Sequence, residues 1–162
     1  LPHAAPTERA VQVGDCVTID MGALYDGYCS DLTRSFCLGR ADERYRAAWD
    51  TVLQAQLAAE AAIRAGCAGD AIDGVARRII YEAGYEGKFG HGLGHSVGLA
   101  IHENPRFSQT CKDAILAGTI MTVEPGIYDP AWGGVRIEDM VLVTEQGCRV
   151  LTQAPKRMVV GG

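Results

Sequence analysis

Apolar positions change their period along the chain, from two to between three and four and back to two. Residues 16–20 (CVTID) read as a strand. Asp26-Gly27 follows, set between Tyr25 and Tyr28. Asp-Gly between aromatics is a two-residue hairpin signal, so a return strand is expected over 28–37, ended by Gly39. Tyr45, Trp49, Val52, Leu53, Leu57 and Ile63 then recur at helical spacing. Asp42 is the expected N-cap of a helix reaching Ala65, and Gly66 stops it. A second helix is expected over 70–83, with Ile72, Val75, Ala76, Ile79 and Ile80 as its stripe and Gly84 as its terminator.

Gly90, Gly92, Gly94 and Gly98 are interleaved with His91 and His95. That glycine density argues against helix and predicts a loop of close backbone approach, then a strand to His102. Strand-like segments return at 119–124 and 135–144, joined by a turn rich in proline and glycine. A hairpin, two helices and further antiparallel strands make an α+β domain over residues 1–162, without a βαβ rhythm. No repeat, low-complexity tract or linker interrupts it.

Composition removes several classes. Of 162 residues 48% are hydrophobic and 22% charged, which excludes disorder. No apolar run reaches membrane-span length, so no membrane partner is expected. A net charge of −5 without a basic block argues against nucleic acid. The six cysteines, at 16, 29, 37, 67, 111 and 148, include no C-x-x-C pair. A thiolate zinc site and a thioredoxin-type motif therefore lack support, and free thiols in a reducing, cytoplasmic compartment are expected. The chain opens at Leu1-Pro2-His3 without an initiator Met, and is expected to be a piece of a longer protein.

The candidate chemistry lies on the strands. With a two-residue turn at Asp26-Gly27, Asp20 pairs with Thr33 and lies diagonal to Asp31 on one face, about 7–8 Å away at Cβ. Carboxylates that close repel unless a proton or a cation intervenes; otherwise they are surface acids on a solvated face. Ile19 and Met21 flank Asp20, which speaks for the cation. Glu138 sits in a segment apolar on both faces and needs a partner, either a metal or Arg136 as a simple ion pair. His91, His95 and His102 crowd twelve residues of a Gly-rich stretch, without the spacing of a zinc-protease helix. Four strand-borne carboxylates, Glu124 included, with at least one histidine suit Mn²⁺, Co²⁺ or Fe²⁺, with Zn²⁺ as a further choice. Four negative charges are balanced by two divalent ions. Gly94-His95-Ser96-Val97-Gly98 spells a nucleophile elbow, but its flanks are wrong and no acid lies between Ser96 and the only later histidine, His102.

Five segments, taken together, resemble the Xaa-Pro peptidases, aminopeptidase P and prolidase, of the pita-bread metallopeptidases that also include methionine aminopeptidase. They are Ile19-Asp20-Met21-Gly22-Ala23, Gly27-Tyr28-Cys29-Ser30-Asp31-Leu32-Thr33-Arg34, His91-Gly92-Leu93-Gly94-His95, Val123-Glu124-Pro125-Gly126-Ile127-Tyr128 and Gly134-Val135-Arg136-Ile137-Glu138-Asp139. The resemblance implies a curved antiparallel sheet with helices on its outer face, the N-terminal part of the domain being absent from this chain. It implies two divalent ions, Mn²⁺ or Co²⁺ first, held by Asp20, Asp31, His95, Glu124 and Glu138. Asp31 and Glu138 would bridge the ions, Asp20 would complete one shell, and His95 and Glu124 the other. A bridging hydroxide would attack, Glu124 would move the proton, and His91, His102 and His3 would contact substrate. Arg136 would orient the carboxylates. The implied partner is a peptide with proline at its second position, cleaved by a homodimer in the full-length protein. A non-catalytic binding module and a metal-free amidinohydrolase are the rival readings within the fold; both are disfavoured by the complete ligand set.

Overall fold

The computed structural model describes residues 2 and 5–161. The N-terminal hairpin forms in the expected register. Strand β1 (Cys16–Met21) runs antiparallel to β4 (Leu32–Leu38), with Asp20 opposite Thr33 and Cys16 opposite Cys37. Its tip is β2 (Leu24–Tyr25) against β3 (Tyr28–Cys29). Asp26 and Gly27 both take positive φ, 47° and 83°, as a two-residue turn matched to strand twist requires.

Helix α1 (Glu43–Ala62) starts where Asp42 accepts a bond from the Tyr45 amide at 2.7 Å. It ends three residues before Ala65, because Ile63 turns into the core and Ala65 donates instead to the Thr144 carbonyl. Its buried face carries Tyr45, Ala48, Trp49, Val52, Ala55, Gln56 and Ala59, so the expected stripe is rotated and Leu57 lies exposed. Helix α2 (Gly69–Glu82) begins without a side-chain cap. The carbonyls of Cys111 and Asp113 accept its first amides, moving the start ahead of Asp70.

Five strands form the larger sheet, in the order β11 (Cys148–Val150), β10 (Asp139–Val143), β7 (Ile120–Val123), β5 (Gly94–Ser96), β6 (Glu103–Phe107). The glycine segment becomes strand only over β5, and residues 97–102 loop out, correcting the strand expected to His102. Gly94 is required there, since a Cβ would collide with the Thr122 carbonyl of β7. Strand β6 was hidden by Pro105, which an edge strand tolerates. The proline- and glycine-rich turn is itself a hairpin of β8 (Gly126–Asp129) and β9 (Gly133–Arg136). A short β12 (Val159–Val160) pairs parallel to β4, an exception to the antiparallel expectation.

The segment expected as one strand over 135–144 is broken. Arg136 pairs with Gly126, whereas Asp139 pairs with Val123. The register is the same on both sides, and the ladder lapses only for two residues on each strand, Glu124-Pro125 and Ile137-Glu138. Gln56 of α1, fully buried, donates to the carbonyls of Val123 (3.0 Å) and Ile137 (3.2 Å), one residue ahead of each glutamate. Helix α1 packs on α2 and on β7, β8 and β9 over a core that includes Val52, Ile72, Ile80, Phe107, Met121 and Val141. Among the described residues no helix is long and apolar enough to cross a membrane.

Candidate metal centre

Glu138 sits in the two-residue gap between the ladders and is 2% exposed. Its amide donates to the Thr33 carbonyl at 3.0 Å, and its Oε2 accepts from the Thr33 hydroxyl at 2.6 Å. Burial pushes this carboxyl up to about 9, helped by the charges of Glu124 and Asp31. Asp31, just ahead of β4, is likewise raised, first by burial and then by Asp20. His95 enters from β5. Its Nδ1 meets the Ser96 carbonyl at 3.1 Å, a partner that only accepts, so the proton sits on Nδ1. Nε2 is thereby left facing Glu124 Oε1 at 3.3 Å and Asp31 Oδ2 at 3.7 Å. Burial pulls the imidazole's affinity for a second proton down, but the bonds to Glu124 and Ser96 and the nearby carboxylates outweigh it, and the net shift is upward.

Donor atoms of Asp31, His95 and Glu138 lie within 4.8 Å of one another. Glu124, fixed by its amide to the Leu93 carbonyl (2.8 Å), stands beside them. Asp20 comes from the exposed β1 and is met by Arg136 in an ion pair. Arg136 thus pairs with Asp20 rather than directly with Glu138. It reaches Glu138 through Thr33, whose Oγ1 accepts from Arg136 Nε at 3.2 Å and donates to the carboxylate. Carboxylate and imidazole donors converging on a buried carboxyl fit hard to borderline divalent cations, and no thiolate takes part.

Beside the cluster lies a cavity of about 220 Å³, lined by His91, His95, His102, Arg106, Glu124 and Arg136 among others. The His91 Nδ1 lies 2.8 Å from the Gly92 carbonyl, so its Nε2 accepts from the Tyr128 hydroxyl, also at 2.8 Å. The same hydroxyl accepts from Arg136 at 3.0 Å. Burial pushes the Tyr128 phenol up to about 12, so it keeps its proton in neutral solution. His102 packs edge-on against His95 at 4.3 Å between ring centroids. Its ring also borders a second hollow of about 410 Å³ along Asp20, Gly22, Leu24 and Asp31. The buried pair Asp73–Arg77 of α2 anchors the glycine segment: Arg77 donates to the carbonyls of Phe89 and His91, and Asp73 accepts from the Leu93 amide.

Eight of the nine residues singled out in the sequence therefore converge; His3 lies outside the described residues. Ser96 is no elbow nucleophile, being buried within β5 with its hydroxyl donating to the Pro105 carbonyl at 3.0 Å. Sequence reasoning assigned no role to Thr33, Tyr128, Arg106 or Gln56. Of these, Gln56 had a legible signal, as a polar residue four positions after Val52 on the apolar side of a helix.

The sequence profile of Metallopeptidase family M24 matches residues 1–145. The chain is 45% identical over 159 residues to an Xaa-Pro dipeptidase of Pyrococcus furiosus, covering 98% of this chain and 46% of that protein. Its fold superposes on an Xaa-Pro dipeptidase from Bacillus anthracis with a TM-score of 0.96 at 43% identity, over 99% of this chain and 45% of the other. An X-Pro aminopeptidase from Thermotoga maritima gives 0.95 at 41%, over 99% and 46%. The chain spans less than half the length of the curated relatives it matches. A profile match over most of the chain, on a pita-bread fold shared with proteins more than 40% identical, has one consequence: the chain belongs to metallopeptidase family M24.

Proposed function

We propose that the protein carrying this chain is a dinuclear metallopeptidase that hydrolyses Xaa-Pro bonds at peptide N-termini or in dipeptides. The observation that carries the reading is the convergence of Asp31, His95 and Glu138 within 4.8 Å, with Glu124 against His95. Asp20, Asp31, His95, Glu124 and Glu138 would hold two divalent ions, Mn²⁺ or Co²⁺ first, with Asp31 and Glu138 shared. Four carboxylates neutralise two such ions, which accounts for so much negative charge beside the buried Glu138. The chemistry the ions supply is a water acidified enough to act as nucleophile at neutral pH.

The chain's own groups do the rest. Glu124 lines the cavity and its Oε1 accepts from Thr122 at 3.2 Å, which holds the carboxylate where it would take a proton from the attacking water. The proline nitrogen of an Xaa-Pro bond becomes a secondary amine and needs that proton to leave. His102 faces the cavity where negative charge grows on the scissile carbonyl oxygen, and His91, held by Tyr128, lines the same cavity as a substrate contact. Arg136 orients Asp20 and Tyr128 together. Relatives named Xaa-Pro dipeptidase and X-Pro aminopeptidase support the substrate class. The free cysteines support a reducing compartment.

The test uses the protein carrying this chain, loaded with Mn²⁺ or Co²⁺. Hydrolysis of an Xaa-Pro dipeptide or an Xaa-Pro tripeptide is expected, abolished by EDTA and reduced at least about 10²-fold in Glu124→Ala. The preferred length separates dipeptidase from aminopeptidase. A folded, metal-loaded protein that cleaves neither peptide would overturn the reading.

A further inference from the structure

At the end of the β1–β4 ladder away from the metal ligands, Cys16 and Cys37 stand directly opposite each other with their sulfurs 3.0 Å apart. The Cys37 amide donates away from β1, to the Met158 carbonyl at 2.9 Å, while the next amide, Leu38, donates toward β1, to Asp15. Cys16 and Cys37 are therefore a non-hydrogen-bonded cross-strand pair. Such pairs bring Cα atoms to about 4.5 Å, inside the 4.4–6.8 Å span of disulfides. The two thiols differ in access. Cys16 is exposed and opens on a wide groove shared with Tyr45 and Trp132, whereas Cys37 is 1% exposed.

We propose that Cys16 and Cys37 form a redox-active dithiol, closed to a cross-strand disulfide by a small-molecule disulfide such as oxidised glutathione. The Cys16 thiolate attacks one sulfur of the oxidant, forming a mixed disulfide and releasing one glutathione thiolate, which takes up a proton. The Cys37 thiol then gives up its proton and attacks the Cys16 sulfur, releasing the second glutathione. Two protein thiols are oxidised by two electrons, and one glutathione disulfide is reduced to two glutathiones. Cys16 is the entry point because it is the accessible sulfur, and Cys37 is the resolving one because its sulfur is already in place.

The surroundings set the rate and the durability of the bond. Burial raises the Cys16 thiol, with Asp42 and Asp15 adding to the shift, while the Cys37 thiol, hydrogen-bonded to Cys16, opposes it. Burial and the Cys16 sulfur push Cys37 up to about 12, with Asp42 adding and Arg46 opposing. Little thiolate is present at neutral pH, so closure is slow and speeds up in alkali. For the same reason the reduced form gains nothing from ionisation, and the disulfide resists reduction once made. The pair heads a single face of the hairpin that continues through Thr18–Ser35, bonded at 2.7 Å, to Asp20 and Thr33. Closure therefore pins the register that places Asp20.

The experiment incubates the protein with oxidised glutathione at pH 8, quenches with N-ethylmaleimide and maps the peptides by mass spectrometry. The expected product has lost two hydrogens, alkylates two fewer thiols and contains one peptide pair joined through Cys16 and Cys37. It melts several degrees above the reduced protein. Cys37→Ser is expected to stop at a glutathione adduct on Cys16. Cys16→Ser, a change at an exposed position that leaves the core intact, is expected to give neither adduct nor cross-link at Cys37. Full alkylation of both thiols after treatment, a cross-link through other cysteines, or a wild-type protein halted at the mixed disulfide would overturn the proposal.

Discussion

Two sheets supply the carboxylates of this site, and they are built on different terms. The five-stranded sheet lies under α1 and α2, and its strands β7 and β10 are almost wholly buried. The three-stranded sheet β1–β4–β12 ends in β1, whose residues are exposed apart from a half-buried Val17. Glu124 and Glu138 are positioned by a core that surrounds them, Asp20 by a register and one guanidinium. Packing thus defines one side of the cluster, and pairing plus electrostatics the other.

The sharpest way to break that contrast is to cut into both apolar sets. Ile80 is fully buried, whereas Ile19 of β1 is 45% exposed. Ile80→Ala is expected to cost about 4 kcal/mol in denaturant unfolding, and Ile19→Ala under about 1 kcal/mol. Equal losses would mean that β1 is as tightly held as the core. A second pair of variants reads the same contrast in the chemistry. Asp31→Asn is expected to lower kcat/KM about 10²-fold and to reduce metal stoichiometry. Asp20→Asn, at the exposed edge, should lower it about 10-fold, by weakening one ion. Calorimetric metal titration separates the two, and a larger loss at Asp20 would reverse the ranking.

A smaller effect belongs to the buried side alone. In metal-free protein the Glu138 carboxyl is raised to about 9 by burial and neighbouring charge. Its proton is held more tightly in the folded state than in the unfolded chain. The stability it confers is full below the ordinary glutamate value near 4.5 and is lost as pH rises through about 9. Melting temperature in the presence of chelator should fall by several degrees between pH 5 and pH 9, Asp31 acting in the same direction. Glu138→Gln should flatten most of that slope, and an unchanged slope would place its origin elsewhere.

Much of this was legible because hairpin chemistry is local. Asp26-Gly27 set the turn, the turn set the register, and the register put Asp20 opposite Thr33. The lapse of the ladder at Ile137-Glu138 was not legible, since periodicity reports which faces are apolar and not where a ladder's hydrogen bonds are interrupted. Alternation puts Arg136 and Glu138 on one face as direct partners, while the structure interposes Thr33. Strand β6 was missed because proline lowers strand propensity in any window, whatever the position in the sheet. Tyr128 lies within the segment Val123–Tyr128, yet its contact with His91 spans 37 residues, beyond any local pattern.

The Gln56 amide ties α1 to the carbonyls of Val123 and Ile137, each one residue ahead of a glutamate. Docking of α1 and the separation of Glu124 from Glu138 are therefore thermodynamically linked. Whatever cation draws those carboxylates together must also favour the docked helix, by mass action and to the same extent. Occupancy of the site would then be readable at a distance, as slower hydrogen exchange along the buried face of α1.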